Sequence, residues 1–225
     1  MSEDIKKIIK EKSDKGVLRL VMNNLDYKNA LSKKMMSMLR DEIESASSDK
    51  SIKVIVLAAK GNVFCSGHDL KEITAARENK DSGEEFYQDL FDSCSALMQL
   101  IVNTPQPIIA EVDGVATAAG CQLVASCDLA IASNESRFAT PGVNLGLFCS
   151  TPMVALSRNV NKKNAMEMLL TGDFIDASKA KEIGLINNLV QKEELTLEVT
   201  KLAEKIASKS SMTVSTGKQA FYAQA

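Results

Sequence analysis

Apolar and polar positions along this chain fall into blocks of two kinds. "IKVIVLAA" (52–59) is nearly all apolar and rich in β-branched residues, as a strand buried on both faces should be. "GVLRLVMN" (16–23), "PIIAEVDG" (107–114), "CDLAIAS" (127–133) and "LINNLV" (185–190) also read as strands. Between them the apolar residues recur at helical spacing. "LSKKMMSMLRDEIESASSD" (31–49) predicts a helix with Ser32 at its N-cap, and its Met-rich start reads as packing. Residues 84–104 predict a long amphipathic helix that stops before Pro105 and Pro107. Further helices are predicted over 161–173, over 176–184 with Gly184 closing it, and over 192–209. A helix is also expected to open near residue 117. Strands alternating with helices argue for an α/β fold with largely parallel pairing. No linker divides the chain, so one domain over residues 1–225 is expected, with "RENKDSGEE" (77–85) as its most loop-like excursion.

Charge narrows the function classes. The formal net charge of −2 gives no nucleic-acid footprint. Between residues 105 and 157 the only formal charges are Glu111, Asp113, Asp128, Glu135 and Arg137, so this stretch is expected at the centre of the molecule or at a subunit interface. No run of 18 apolar residues is present to span a membrane. The start, "MSEDIKKIIKEKSDKG", lacks the pattern of a secretory or transit leader, which favours a cytoplasmic location. The five cysteines form no Cys-x-x-Cys pair and there is one histidine, which argues against a zinc site and for reduced core thiols.

Neither G-x-x-x-x-G-K-[ST] nor G-x-G-x-x-G occurs, so the common nucleotide cradles are missing. There is no G-x-S-x-G elbow, and Ser66, His68 and Asp69 lie too close in sequence for a catalytic triad. Two other stretches carry candidate chemistry. "KGNVFCSGHDL" (60–70) follows the buried strand 52–59; small residues and Gly67 make a tight turn, and "DLKEI" can open a helix with Asp69 near its start. Before "TAAGCQL" (117–123) the strand "PIIAEVDG" again runs into a turn and then a helix start, with nothing larger than cysteine at positions 118–121. Each turn can leave a backbone N–H free, and two such donors can meet one oxygen, as a polarised carbonyl requires. The same small residues also suit close helix packing, and spacing alone leaves both readings open.

"FCSGHDL", "GVATAAGCQLVASCDLAIAS" and "FATPGVNLGLFCSTP" together resemble the crotonase (enoyl-CoA hydratase/isomerase) superfamily, over nearly the whole chain from about Gly16. The resemblance implies a crotonase-like (ClpP/crotonase) spiral of ββα units, assembled as a homotrimer or hexamer. It implies a lyase of hydratase type in fatty-acyl-CoA metabolism, with a mitochondrial matrix location as the alternative to the cytoplasm. No cofactor is bound permanently, and coenzyme A enters as part of the acyl-CoA substrate. The usual C-terminal trimerisation helices are expected to be missing or shortened, because the sequence stops at "FYAQA".

Carried over residue by residue, the backbone amides of His68 and Ala119 hold the thioester carbonyl. Coenzyme A contacts fall on Lys28, Asn29 and Ala30 and on the backbone of Cys65, Ser66 and Gly67, with Asp69, Leu70 and Gly120 beside them. The family's two glutamates fall at Gln122 and Gly142, and isomerase relatives place an acid at Gly142 or near Ser150. None of these is acidic here. Gln122 can position a group but cannot act as a base near neutral pH. Restoring Gln122→Glu with Gly142→Glu is expected to create hydration. A non-catalytic acyl-CoA-binding protein and an acyl-CoA thioesterase are the alternatives. The His68 side chain is expected to titrate near physiological pH if it points into the pocket. Glu111 and Asp113 are expected to cap or pair. Cys149 and Ser150 are expected to shape the acyl pocket, and Asn144 to donate to the acyl chain.

Overall fold

The computed structural model describes residues 7–224. Six strands form the larger sheet in the order β1 (Ile8–Lys12), β2 (Val17–Met22), β3 (Val54–Ala59), β5 (Ile108–Val112), β7 (Leu129–Ser133) and β10 (Asn188–Val190). β1 pairs antiparallel with β2, and all other pairs in this sheet are parallel. A smaller sheet runs β4 (Val63–Cys65), β6 (Val115–Thr117), β8 (Arg137–Ala139) and β9 (Ile175–Asp176). Thus β3, β5 and β7 are each followed by a short strand of the second sheet. Two of these strand pairs lead directly into helices: β6 into α4 (Ala119–Ser126), and β4 into α2 (Leu70–Ala76). This ββα repeat is the predicted spiral.

Period-two alternation explains why β3 is apolar throughout. Val54 and Val56 point to one face, against Leu195, Val199 and Ala203 of α8 (Leu195–Ala207). Ile55 and Leu57 point to the other, into a core shared with α1 (Lys33–Ser48) and α3 (Glu84–Asn103). Met35, Met36 and Leu39 of α1 are fully buried there, and Ser32 caps that helix by accepting from the Met35 N–H at 3.1 Å. α4 is buried along its whole length, which accounts for its lack of charge. α5 (Ser150–Asn159), α6 (Lys162–Thr171), α7 (Ala177–Glu182) and α9 (Ser211–Gln224) complete the described chain.

Sequence patterning missed β1, all of the second sheet, α5 and α9. Strands of two or three residues are too short to carry a period. α9 contains Gly217 and four Ser or Thr residues before it, so its helical signal is weak. The loop over 77–83 is ordered by Asp81, whose carboxylate accepts from the N–H groups of Gly83 and Glu85.

Candidate active site

β4 and β6 are parallel neighbours, with Val63 opposite Val115 and Cys65 opposite Ala116. Their C-terminal ends therefore emerge side by side, and so do the turns that follow. Thr117 Oγ1 ties the two together by donating to the Ser66 carbonyl at 3.1 Å. Contact is close enough to dictate glycine. A Cβ on Gly120 would fall 2.2 Å from the Cys65 carbonyl oxygen. One on Gly67, where φ is +88°, would fall 2.9 Å from Ala118 Cβ and 3.4 Å from Ala119 N. The small residues of both motifs thus let two backbones approach. Ala118 itself has φ 51° and ψ −120°, an unusual conformation for a residue with a Cβ, of the kind retained at functional turns.

The turns expose two amides. Ala119 opens α4, where a first-turn N–H has no intrahelical acceptor. His68 precedes Asp69, the N-cap of α2, whose carboxylate accepts from Lys71 N at 2.9 Å. The His68 strand bridge to Leu31 is made through the Gly67 carbonyl, which accepts from Leu31 N at 2.8 Å. Among the described residues neither His68 N–H nor Ala119 N–H donates to a backbone acceptor in a turn or loop. Two N–H groups so placed can meet one oxygen atom.

The "KNAL" segment is part of this construction. Ser66 N donates to the Lys28 carbonyl at 3.2 Å, and Lys28 and Asn29 both have φ of 51°. Asn29 is buried: its Oδ1 accepts from Asn24 N, and its Nδ2 donates to the carbonyls of Lys60 and Val63. Its side chain therefore braces β4 rather than facing a ligand. Ala30 is buried and Lys28 is exposed. Around Lys28 lie exposed Leu25, Tyr27 and Leu70, with the ammonium groups of Lys7 and Lys71 at 5.8 and 5.0 Å from the Tyr27 ring. Lys71 and Tyr27 were not singled out from sequence, because an isolated lysine and tyrosine carry no pattern.

Gln122 is buried on α4, its Oε1 4.0 Å from the Cys94 thiol on α3. The His68 ring stands edge-on to Phe91 of the same helix, centroids 5.6 Å apart. Neither Phe91 nor Cys94 was picked out from sequence, since both belong to the ordinary apolar stripe of α3. Burial lowers the His68 pKa from 6.5 to about 4, so the expected titration near physiological pH is corrected: the ring is neutral there.

Gly142 also departs from expectation. Its N–H donates to Cys149 Sγ at 3.2 Å and its carbonyl accepts from Leu147 N at 2.9 Å. A Cβ there would lie 2.7 Å from the Leu147 carbonyl and 2.8 Å from Cys149 Sγ. A glutamate at this position requires the 147–149 segment to move, so Gly142→Glu is no simple restoration. Cys149 is buried, and the thiols of Cys65, Cys94 and Cys121 are pushed up by burial to about 12, 11 and 12, which keeps them out of nucleophilic chemistry. All five cysteines are free. Ser150 is exposed and donates to the Phe148 carbonyl, and Asn144 is exposed, with its amide nitrogen over Gly172. Glu111 and Asp113 pair as expected, Glu111 with Arg19 and Thr196, Asp113 with Lys192 and Ser133. No group of metal-binding side chains occurs among the described residues.

The family model described as enoyl-CoA hydratase/isomerase matches residues 12–225. The chain belongs to the enoyl-CoA hydratase/isomerase family. The rat enoyl-CoA hydratase domain-containing protein 3, mitochondrial, is 51% identical over 209 residues, covering 93% of this chain and 68% of that protein. The 2,3-dehydroadipyl-CoA hydratase of Escherichia coli K12 is 33% identical over 206 residues, 91% of this chain and 77% of that enzyme. The crystal structure of human enoyl-CoA hydratase domain-containing protein 3 superposes with a TM-score of 0.91 at 46% identity, covering 97% of this chain and 84% of that one. The crotonase fold expected from the motifs is thereby established for this family member. Among its described residues no helix is long and apolar enough to cross a membrane.

Proposed function

We propose that this chain binds an acyl-CoA thioester, with the carbonyl oxygen between the N–H groups of His68 and Ala119, and adds water to an enoyl-CoA. The observation that carries this reading is the pair of adjacent turns locked by Gly67 and Gly120, each ending in an N–H with no turn or loop acceptor. Such donors stabilise the charge that develops on a thioester oxygen as it becomes an enolate, each worth about 3–4 kcal/mol in the transition state. Exposed Tyr27, Leu25 and Leu70 with Lys7, Lys28 and Lys71 offer apolar surface and cations to the pantetheine, adenine and phosphates of coenzyme A. A related chain, the Escherichia coli enzyme, is named a hydratase of a CoA ester. Coenzyme A enters only as part of the substrate. We further propose a homotrimer or hexamer, supported by exposed Leu145, Leu147, Phe148, Leu170 and Phe174 on and around α6. The location is proposed as the mitochondrial matrix or the cytoplasm, the first following the name of the rat relative.

A second reading has its own support. Gln122 cannot ionise, and the packing around Gly142 excludes a side chain, so acyl-CoA binding without turnover is the rival. Incubation with crotonyl-CoA and a panel of acyl-CoAs separates the two, following enoyl absorbance and free thiol. Loss of enoyl absorbance that falls at least tenfold in Gln122→Ala supports hydration. Thiol release instead identifies a thioesterase. Tight binding with neither signal identifies the pure binder.

A further inference from the structure

The site as described holds a thioester but names no group to move a proton. Among the nearby carboxylates, Asp69 is engaged by the Lys71 N–H and Glu72 by the Lys33 N–H, while Asp89 is paired with the Lys33 ammonium. Glu111 is turned toward Thr196 of α8. The thiols stay protonated at neutral pH. Among the described residues three buried polar side-chain atoms have no hydrogen-bond partner, Glu111 Oε2, Thr140 Oγ1 and His68 Nε2, and of these only the imidazole nitrogen is a neutral base on a residue that also supplies one of the two N–H groups. An orphaned buried polar atom is destabilising, and a catalytic role is one recognised reason for retaining it.

Its placement is specific. The ring lies against Phe91, and the Gln122 amide lies against Cys94. Residues three apart on a helix are neighbours about 5–6 Å apart on one face. The imidazole and the amide thus contact side chains one turn apart on α3, and each belongs to a segment that also supplies one of the two N–H donors. Nε2 is closed to solvent, so a water reaches it only when the side chains around it shift as the thioester enters.

We propose that the His68 imidazole is the proton-transferring group of this site, with Gln122 positioning the water. This rests on the acyl-CoA reading above. Nε2 takes a proton from water as the water oxygen bonds to the β-carbon of the enoyl thioester. The C=C π pair moves to the α-carbon and carbonyl, giving an enolate held by the N–H groups of His68 and Ala119. The imidazolium then returns its proton to the α-carbon, the carbonyl re-forms, and one water has been added with no other reagent. With its pKa at about 4, the free ring has the proton affinity of an ordinary carboxylate, so a neutral imidazole here matches the base strength of a glutamate. It differs in charge: the imidazolium appears while the enolate is negative, so the two stabilise each other in the transition state and the enolate intermediate but not in the ground state.

The test uses His68→Ala and His68→Gln, which both keep the backbone N–H. Hydration of crotonyl-CoA should fall at least 100-fold in kcat, within the range general for acid–base groups, while Kd for butyryl-CoA changes less than threefold. Added imidazole should restore part of the rate in His68→Ala. A parallel assay follows exchange of the α-hydrogens of butyryl-CoA in D2O, which needs the base and the two N–H donors but no C=C bond. If the unaltered protein exchanges these hydrogens and His68→Ala does not, the inference stands even where hydration is absent and the hydratase reading fails. If hydration or exchange persists in His68→Ala within threefold, the inference is overturned and the hydratase reading survives. If the unaltered protein does neither, both fail. Should the variants not fold, the single histidine gives one set of imidazole NMR signals in the unaltered protein. Saturation with butyryl-CoA must move them, and unmoved signals overturn the proposal.

Discussion

Gly120 shows how much of the site is decided by the absence of one carbon atom. The Cys65 carbonyl occupies the space a Cβ would need, and backbone cannot rotate away as a flexible side chain can. Gly120→Ala should therefore push α4 off β4. The expected result is a stability loss of about 1–3 kcal/mol by urea unfolding and at least a tenfold weaker Kd for butyryl-CoA by calorimetry. The half-buried His68, with its Nε2 shielded, leaves its mark on stability as well. Its pKa is about 4 when folded against 6.5 when exposed, so the unfolded chain binds more protons between those values. Stability tied to this residue is then fully present above pH 6.5, is lost as pH falls toward 4, and amounts to about 2–3 kcal/mol. Unfolding of the unaltered protein and of His68→Ala, compared at pH 7 and pH 4.5, should show the smaller pH response in the variant. At this scale the sequence was informative about backbone and mute about side-chain company. Tiny residues at 118–121 announce a close approach whatever lies opposite, whereas the Phe91 and Cys94 contacts depend on where α3 is laid down.

The C-terminal helix α9 is held by one unusual side chain. Lys218 is buried, and its ammonium donates to the carbonyls of Ile101 and Gln106 and to the Asp128 carboxylate, at 3.0, 3.0 and 2.7 Å. One cation thereby covers a carbonyl in the last turn of α3, the turn before β5, and the carboxylate that also receives the Ile108 N–H at 2.7 Å. Elsewhere α9 buries no residue, and Met212 and Phe221 are exposed. Lys218→Met should remove the cation from a half-buried Asp128, leave the Ile101 and Gln106 carbonyls without this donor, and loosen the helix, with a stability loss of about 1–3 kcal/mol by urea unfolding. Faster amide exchange across 211–224, with β3 and β5 still protected, is the expected reading. Elements differ in how plainly sequence foretells them, and the reason is length. β3 and α1 are long enough for a period to repeat. The three-residue strands of the second sheet take their conformation from neighbours far away in the chain, so nothing local marks them. The left-handed turn at Lys28 and Asn29 has no local mark, since both residues bear side chains, and only the family resemblance pointed to this segment.

For the molecule as a whole, the parallel β3–β5–β7 ladder sets the plan, and each of its strands hands the chain to the smaller sheet. That hand-over places charge sparsely between 105 and 157: α4 lies wholly inside, as its composition foretold. The exposed apolar side chains near α6 have no such covering within the chain. If copies associate through them, sedimentation should give a mass above that of one chain, and Leu170→Asp with Phe174→Asp should return it to 24.4 kDa.

Thr117 and Ser66, which clip the two turns together, stand 51 positions apart in the chain. Neither loop can hold its partner until β4 and β6 have paired, and parallel pairing across such a span comes late. During refolding, helical circular dichroism should recover first and capture of a fluorescent acyl-CoA only afterwards. Half-made copies of this protein, however rich in helix, would lack the paired N–H groups altogether.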